Sequence, residues 1–283
     1  MHRTVGSEID SKAIINNWID DLRVRAARLF ITPRLHIIQV GADEASNKYV
    51  KNKIETAKKI GIEANHLQLP VDVKQMELDF IIKQFSIDPL ILQLPVPGNL
   101  NVEAAIQRLD PMSDVDGFTT EQIGMLVKGH EYSLAPATAL GIIKLLHGTV
   151  GDLTGKKVVI VNRSNLIGKP LFQLLLQENA QVTMLHSAIP MEQQKETMKS
   201  ADIVITGCGK RKMYDHTFFK DGQVLIDCSM NRIDGVPGVG DMDKEDILEH
   251  LNVKIASGYG HTGPATVAAL MENVIKTYEL QMK

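Results

Sequence analysis

Tyr49 and Lys53 lie four residues apart in the segment SNKYVKNK. A helix places side chains at this spacing on one face, so the tyrosine can stack on a flat ring while the lysine reaches a reacting atom. A solvated basic face is the alternative, because further lysines surround the pair: Lys48, Lys51, Lys58 and Lys59. Taken alone, the pattern favours the solvated face.

Two other polar side chains can share a site with that lysine. The segment LQLPVPG (92–98) ends a predicted buried strand with Gln93, and ligands of open α/β sheets bind beyond the carboxyl ends of the strands. The segment DVDGF (114–118) contains Asp116, although its pattern alone is more typical of an Asp-Gly turn. A carboxylate, a lysine and an amide in one cleft can bind and polarise a nitrogen heterocycle.

A second candidate site is the stretch VVIVNRSNLIGKP (158–170), which predicts a buried strand, a tight turn and a helix. Backbone N–H groups and the positive end of the helix can bind a phosphate at such a turn. The dinucleotide fingerprint has three glycines, but here only Gly168 is in place, and Asn162 stands where an early glycine is expected. Asparagine tolerates the left-handed conformation, and Arg163 and Ser164 can pair with a phosphate. An ordinary strand-to-helix turn remains the alternative.

The next predicted strand ends at His186 and Ser187, where Rossmann folds place the group that meets the adenosine ribose. The absence of an acidic residue there favours a phosphorylated ribose over a bare one.

These residues need a scaffold of alternating strands and helices. Apolar strands that alternate with helices predict parallel sheets covered on both faces. The predicted strands are 34–41, 65–70, 89–95, 157–162, 181–186, 202–207 and 223–229. The predicted helices are 44–62, 74–85, 138–146, 169–178, 190–199 and 264–281. Two α/β units in series, joined near residues 135–150, are expected to enclose a cleft.

Composition excludes several classes of protein. The 283 residues are 44% hydrophobic and carry a net charge of −3, which suits two domains. Basic residues are scattered, so a nucleic-acid partner is not expected. The chain contains no apolar run of membrane length and starts with a polar segment unlike a secretory signal. Cys208 and Cys228 cannot form a disulfide framework, so a cytoplasmic protein is expected.

Together these segments resemble the bifunctional methylenetetrahydrofolate dehydrogenase/cyclohydrolase family. The matching pieces are YVKNK, QLPVPG, DVDGF, RSNLIGKP and GPATVAALMENV, and they occur in the order of the family. The resemblance implies an N-terminal three-layer α/β folate-binding domain (1–137 plus 265–283), a C-terminal Rossmann-like domain (138–264) and a homodimer. It also implies hydride transfer from methylenetetrahydrofolate to NADP, or alternatively NAD, followed by hydrolysis of the methenyl cation to 10-formyltetrahydrofolate.

The resemblance assigns roles to individual residues, and no metal is expected. The catalytic lysine of the family falls on Lys53, its stacking tyrosine on Tyr49, its lysine-orienting glutamine on Gln93 and its pterin-binding aspartate on Asp116. Further substrate contacts fall on Leu94, Pro95, Gly263, Pro264 and Thr266. The coenzyme contacts fall on Asn162, Arg163, Ser164, Ser187 and Met230.

Departures from the family cluster on the nicotinamide side. The chain has PATA (136–139) for PCTP, Asn162 for the glycine of GRS, DCSMN (227–231) for DVGIN and ASGYGHTGPAT (256–266) for TPVPGGVGPMT. Loss of both prolines removes rigidity, and Tyr259 and His261 add bulk and a titratable group. His261 is interpreted as a surface-loop histidine rather than a new catalytic residue.

Two alternatives follow from these departures. One is a mainly cyclohydrolytic relative with weak or altered dehydrogenase activity, and the other is a nucleotide-binding regulator without turnover. The retained lysine, glutamine and aspartate argue against the regulator.

Overall fold

The computed structural model describes residues 6–98, 100–233, 236–258 and 260–282. The strands are β1 Ser7–Glu8, β2 Arg34–Val40, β3 Glu63–Leu69, β4 Leu90–Leu92, β5 Lys157–Val161, β6 Gln181–Leu185, β7 Ile203–Thr206, β8 Val224–Asp227, β9 Asn231–Ile233, β10 Val236–Val239 and β11 Lys254–Ala256. The α-helices are α1 Ser11–Ala27, α2 Glu44–Ile60, α3 Gln75–Phe85, α4 Val102–Ile106, α5 Thr120–Val127, α6 Ala137–Val150, α7 Gly168–Gln177, α8 Met191–Ser200, α9 Lys244–His250 and α10 Thr262–Gln281, and a 3₁₀ turn covers His216–Phe218.

The chain forms two compact units. Asn16–Ala137 and Val267–Lys283 make up one, called here the small-sheet unit, and Met1–Ile15 and Thr138–Thr266 make up the other, the large-sheet unit. Both consist of parallel strands connected by helices, so the predicted two-domain α/β class is confirmed.

The small-sheet unit contains a three-stranded parallel sheet in the order β3-β2-β4. Strand β2 is central and accordingly apolar, with Leu35, Ile37, Ile38 and Val40 buried. Strand β3 lies at an edge and exposes much of its length, so the expectation that all strands are apolar throughout was wrong for β3. Side chains of β3 meet solvent along much of the strand, so polar residues are tolerated there.

Helix α2 packs on this sheet and has a defined start and end. The Asp43 side chain accepts a hydrogen bond from the backbone N–H of Ser46, and Gly61 ends the helix with φ of 94°. This register buries Val50, Lys53 and Ala57 on the inner face. A lysine therefore lies on the face of the helix that packs inward.

Helix α1 was not predicted, although its pattern was present in the sequence. Trp18, Leu22 and Ala26 recur at helical spacing and are buried. Arg25 donates hydrogen bonds from its guanidinium group to the carboxylates of Glu272 and Glu279 on α10. These bonds attach the C-terminal helix to α1 within the small-sheet unit.

The large-sheet unit contains six parallel strands in the order β1-β11-β8-β7-β5-β6. Val158 and Ile160 of β5 enter one hydrophobic core, and Val159 and Val161 enter a second core on the other face. Burial on both faces accounts for the continuous apolar run that the sequence showed.

The edge of this sheet was not predicted. Ser7 and Glu8 pair with Lys254 and Ile255, which places them in the large-sheet unit rather than with the folate-binding domain assumed from the sequence. A two-residue strand has no hydrophobic pattern to reveal it. Strand β11, helix α9 and the antiparallel pair β9–β10 were also missed.

No helix in the described part of the chain combines the length and the apolar composition that are needed to cross a bilayer.

Replacement of Arg25 by alanine should lower the free energy of unfolding by about 2 kcal/mol, because two carboxylates lose a half-buried charged donor. The matched control is Arg23→Ala on the same helix, whose Arg23–Asp20 pair is exposed and should matter by less than about 0.5 kcal/mol. Urea denaturation of both variants measures the difference, and equal midpoints for the two would contradict this role of Arg25.

Candidate active site

Lys53 is the centre of a buried polar group in the small-sheet unit. Only 9% of the residue is exposed, and its Nζ donates a hydrogen bond of 3.0 Å to Oε1 of Gln93. Gln93 follows the carboxyl end of β4, and its backbone N–H donates to the carbonyl oxygen of Ile38 on β2. Helix α2 and the end of strand β4 therefore position the amine and the amide next to each other. Lys53 is buried, so the solvated-face alternative was wrong for this residue.

Electrostatics at this place favour proton transfer. Burial lowers the pKa of Lys53, and the charge of Asp116 opposes this shift. Burial likewise raises the pKa of Asp116, against the opposing charge of Lys53. A lysine with a lowered pKa can exchange a proton at a pH where an ordinary lysine stays charged.

The loop that carries Asp116 is an Asp-Gly turn and also part of this site. Asp114 is fully buried, and its carboxylate accepts hydrogen bonds from the backbone N–H groups of Gly117 (3.0 Å) and Thr119 (2.7 Å). Burial raises the pKa of Asp114 to about 6. Gly117 has φ of +72°, and a Cβ there would lie 2.4 Å from the carbonyl oxygen of Leu134. Asp114 and Gly117 thus shape the turn that presents Asp116.

The C-terminal helix holds the same loop from another side. Nδ2 of Asn273 donates hydrogen bonds of 2.8 Å to the carbonyl oxygens of Val115 and Ala135. Nζ of Lys276 donates to the carbonyl oxygen of Ser133 at 2.6 Å. The roles of Asp114 and Asn273 were not predicted from the sequence. A buried asparagine on the apolar face of a helix was the available signal.

Three other predicted substrate residues lie in the small-sheet unit. Tyr49 is 37% exposed and stands one helical turn before Lys53. Leu94, which is half-buried, and Pro95, which is exposed, directly follow Gln93. All three lie close to Lys53 or Gln93 along the chain. Their contact with a substrate stays a prediction.

The remaining predicted substrate residues belong to the large-sheet unit. Gly263, Pro264 and Thr266 form the beginning of α10. Oγ1 of Thr266 donates to the carbonyl oxygen of Thr262 at 2.8 Å. Their contact with a substrate stays a prediction.

Asn162 closes the turn between β5 and α7 with its side chain. Its Oδ1 accepts hydrogen bonds from the N–H groups of Ser164 (2.7 Å) and Gly168 (3.1 Å), and its Nδ2 donates to the carbonyl oxygen of Gly207 after β7. Asn162 does not adopt a positive φ, so the expectation that it serves through a left-handed backbone was wrong. A Cβ at Gly168 would lie 2.2 Å from the carbonyl oxygen of Asn162, so this position requires glycine.

The predicted coenzyme contacts lie at the carboxyl edge of the large sheet. Arg163 and Ser164 follow β5, Ser187 follows β6, and all three are exposed. Met230 follows β8 and is half-buried. Strands β5 and β6 are neighbours, so their exposed ends can face one ligand.

Two buried carboxylates support the other loops at this edge. Asp227 at the end of β8 accepts hydrogen bonds from the backbone N–H of Ser229 and from the hydroxyl of Ser257. Asp241 accepts from the hydroxyl of Ser229 and the backbone N–H of Cys208. Burial raises the pKa of Asp227 to about 6.

His261 is not a surface-loop histidine, and that expectation was wrong. The residue is only 8% exposed, with Nδ1 2.8 Å from Oγ of Ser11 and Nε2 3.3 Å from a carboxylate oxygen of Glu8. The N-terminal partners could not be foreseen because they lie about 250 positions earlier in the chain. Tyr259, the other bulky residue of this segment, lies outside the described residues.

Comparison with known proteins assigns the chain to a family. The sequence profile described as "Tetrahydrofolate dehydrogenase/cyclohydrolase, catalytic domain" matches residues 9–116. The profile for the NAD(P)-binding domain of the same family matches residues 136–282. The chain belongs to the tetrahydrofolate dehydrogenase/cyclohydrolase family. The family predicted from the sequence is therefore confirmed.

Individual relatives match along nearly the whole chain. The bifunctional protein FolD of Lactobacillus delbrueckii subsp. bulgaricus is 42% identical over 250 residues, covering 87% of this chain and 87% of that protein. FolD 3 of Ectopseudomonas mendocina is 36% identical, covering 96% of this chain and 91% of that protein. The crystal structure of the bifunctional enzyme FolD from Campylobacter jejuni superposes with a TM-score of 0.90 at 30% identity, covering 96% of this chain and 98% of that one.

One further cluster in the described part of this family member has the composition of a metal site. His216, Asp246 and His250 offer ligand atoms within 4.8 Å of one another. The two imidazole rings stack with centroids 4.0 Å apart and planes 14° apart. Nearly parallel rings cannot both direct in-plane lone pairs at one ion. The geometry fits an imidazole pair held by a shared carboxylate better than a metal centre.

Replacement of Gly168 by alanine should weaken nicotinamide coenzyme binding by about tenfold, or ~1.4 kcal/mol, because the added methyl group displaces the β5–α7 turn. Gly124→Ala in helix α5 is the control, since a Cβ there meets nothing within 4 Å. Titration of each variant with NADP and with NAD measures the effect. Unchanged affinity of a folded Gly168→Ala variant would separate this turn from coenzyme binding.

Proposed function

We propose that Lys53 is the residue through which this enzyme of one-carbon folate metabolism hydrolyses 5,10-methenyltetrahydrofolate to 10-formyltetrahydrofolate. The same chain oxidises 5,10-methylenetetrahydrofolate to the methenyl form in the preceding dehydrogenase step. One observation carries the assignment of Lys53. Its buried amine is held by a 3.0 Å hydrogen bond to Gln93, in an environment that lowers its pKa.

The cyclohydrolase step needs a proton carrier next to the one-carbon bridge. Water adds to the methenyl carbon, loses a proton, and the five-membered ring opens when one nitrogen takes up a proton. A neutral lysine accepts the proton from water and returns it to the nitrogen. As the C–N bond breaks, the remaining hydroxyl proton of the adduct leaves to solvent and the formyl C=O forms, so one proton is released overall. Gln93 orients the Lys53 amine by accepting a hydrogen bond from Nζ. The lone pair of the neutral amine then points away from the amide oxygen.

Folate binding is assigned to the small-sheet unit. Tyr49 stacks on the pterin ring one turn from Lys53, and the carboxyl group of Asp116 binds its polar edge. Leu94 and Pro95 extend this surface beyond Gln93. Gly263, Pro264 and Thr266 are proposed to complete the contacts with the substrate. The proposed domain boundaries are 1–137 plus 265–283 for the folate-binding domain and 138–264 for the coenzyme domain, except that Met1–Ile15 and Ala265–Thr266 belong to the large-sheet unit.

Coenzyme binding is assigned to the carboxyl edge of the large sheet, and we infer that NADP is the preferred coenzyme. NADP, when bound, accepts the hydride that leaves the one-carbon bridge. The β5–α7 turn fits a dinucleotide because Gly168 leaves room where a Cβ would collide with the backbone of Asn162. Arg163, Ser164 and Ser187 offer a cation and hydroxyl groups to phosphate, and Met230 borders the same edge.

Two properties of the whole protein are part of the proposal. A homodimer formed through the coenzyme domain follows from the resemblance to the family. A reducing compartment such as the cytoplasm suits the two free cysteines, Cys208 and Cys228.

The test offers methylenetetrahydrofolate with NADP or NAD, and then methenyltetrahydrofolate alone. Turnover of both substrates supports the proposal. Lys53→Met should abolish hydrolysis of methenyltetrahydrofolate and leave NADP affinity unchanged, whereas Lys51→Met, at an exposed position on the same helix, should leave both unchanged. Normal hydrolysis by the Lys53→Met variant removes this lysine from the mechanism.

Stability separates a catalytic loss from a folding defect in that variant. Between the folded and unfolded pKa values of Lys53, the unfolded chain binds more protons, so this lysine reduces stability at neutral pH. Thermal denaturation should therefore show Lys53→Met melting no lower than wild type.

The pH dependence of hydrolysis should identify Asp116 as the partner of Lys53. If the neutral amine is the active form, kcat rises with pH through the pKa of Lys53. The charge of Asp116 raises that pKa, so Asp116→Asn should move the midpoint to lower pH. Cyclohydrolase kcat at saturating substrate, corrected for the uncatalysed hydrolysis, measures the shift.

The control for this measurement is Glu55→Gln, which removes an exposed carboxylate from the Lys53 helix. Solvent and salt screen such a charge, so the midpoint should not move. A midpoint that stays in place or rises in Asp116→Asn is incompatible with the proposed pairing.

A further inference from the structure

The connection between β11 and α10 is described at residues 257–258 and 260–261, and these four residues are called here the β11–α10 segment. Hydrogen bonds hold both ends of this segment within the large-sheet unit. Ser257 is 4% exposed and donates from Oγ to the buried carboxylate of Asp227 at 3.0 Å. At the other end, His261 is 8% exposed and lies immediately before the first residue of the helix.

His261 connects the segment to the N-terminal part of the chain. Nδ1 lies 2.8 Å from Oγ of Ser11, which is itself 2% exposed. Nε2 lies 3.3 Å from Oε2 of Glu8, and Oε1 of Glu8 accepts a hydrogen bond of 2.9 Å from Lys244. Glu8 belongs to β1, which pairs with β11 at the edge of the sheet. The histidine is thereby attached to the same sheet from which its own segment emerges.

The three side chains have matching hydrogen-bonding capacity. A neutral imidazole offers one donor and one acceptor. Nε2–H can donate to the Glu8 carboxylate while Nδ1 accepts from the Ser11 hydroxyl, which leaves no polar atom of the ring unsatisfied. Burial lowers the pKa of His261, against the opposing charge of Glu8, in agreement with a neutral ring. Loss of any one partner leaves a buried polar atom without its bond, which is costly.

The backbone between the two ends needs such attachment. Gly258 has φ of +84° and Gly260 has φ of +99°, conformations that glycine adopts readily. Glycine also has the most conformational freedom to lose on folding, and no proline restricts residues 257–261. Side-chain hydrogen bonds of Ser257 and His261 therefore hold the two ends of the segment.

The location of the segment indicates which ligand it can face. Strand β11 runs parallel to β8, β7 and β5, so the segment leaves the sheet at the same edge as the β5–α7 turn. Parallel sheets bind their ligands beyond this edge. Asp227, which holds Ser257, also supports the loop after β8 that precedes Met230.

We propose that His261 is a positioning residue for the coenzyme, which through Ser11 and Glu8 fixes the β11–α10 segment against the bound nicotinamide dinucleotide. This inference rests on the proposed function, because it requires the large-sheet unit to bind NADP. It predicts a selective defect. The lysine, amide and carboxylate proposed for hydrolysis are held by bonds within the small-sheet unit and do not depend on His261.

The experiment compares His261→Ala and Ser11→Ala with wild type in three measurements. NADP affinity is measured by titration, dehydrogenase KM for NADP by initial rates, and cyclohydrolase kcat and KM with methenyltetrahydrofolate. Each variant should raise the dissociation constant and the KM for NADP by about tenfold, as expected for one buried hydrogen bond, and leave the cyclohydrolase kcat within about twofold. Ser11→Ala removes a single oxygen and is the milder variant should His261→Ala fail to fold.

Two controls separate positioning from general destabilisation. His147→Ala removes an exposed histidine–glutamate pair of the same unit and should change none of the constants. The double variant Ser11→Ala/His261→Ala should bind NADP no more weakly than the worse single variant, because both changes break the same attachment.

Three kinds of result would contradict the inference about His261. A wild-type chain that turns over methylenetetrahydrofolate with NADP, together with variants of unchanged NADP affinity, overturns the inference and leaves the proposed function intact. Equal losses in both activities, or strictly additive losses in the double variant, also overturn it, since they indicate a general structural role. A wild-type chain that binds neither NADP nor NAD overturns the proposed coenzyme assignment and this inference with it.

Discussion

The burial of one amine governs the arrangement of the small-sheet unit. A lysine taken out of water is stable only if its hydrogens find acceptors and its charge finds a partner. Gln93 accepts a hydrogen bond from the Lys53 amine, and the carboxyl group of Asp116 supplies the opposite charge. Both come from elements far from α2 in sequence, so the parallel sheet, the end of β4 and the Asp114 turn must all form before the site exists. The same burial that lowers the pKa of the lysine makes it useful for proton transfer.

Polar side chains buried under loops recur throughout both units. Asp114 and Asn273 hold the turn that carries Asp116, and Asn162 closes the turn after β5. His261 does the same for the segment after β11. Each supplies hydrogen bonds to backbone groups or side chains that secondary structure leaves unpaired. The loops at the carboxyl ends of the strands are thus ordered by specific side chains as well as by packing, which suits surfaces that must meet a ligand with fixed geometry.

The elements with a strong hydrophobic period were predictable, and the short ones were not. Strands β2 and β5 and helices α2 and α7 appear within a few residues of their expected bounds, because burial imposes the period directly on the sequence. Strand β1 contains two residues and strand β11 three, too few to show a period. Helix α1 had the period and was overlooked.

The sequence by itself determined the α/β class and the family, because residue type and order along the chain carry that information. Through the resemblance to the family it also predicted roles for Lys53, Gln93 and Asp116. Only the tertiary structure decided that Asn162 acts through its side chain and that His261 is buried. Whether a polar side chain is exposed depends on partners from any part of the chain, and Ser11, a partner of His261, lies 250 positions earlier. Local pattern describes a residue's neighbours in sequence, whereas burial and hydrogen bonding depend on its neighbours in space.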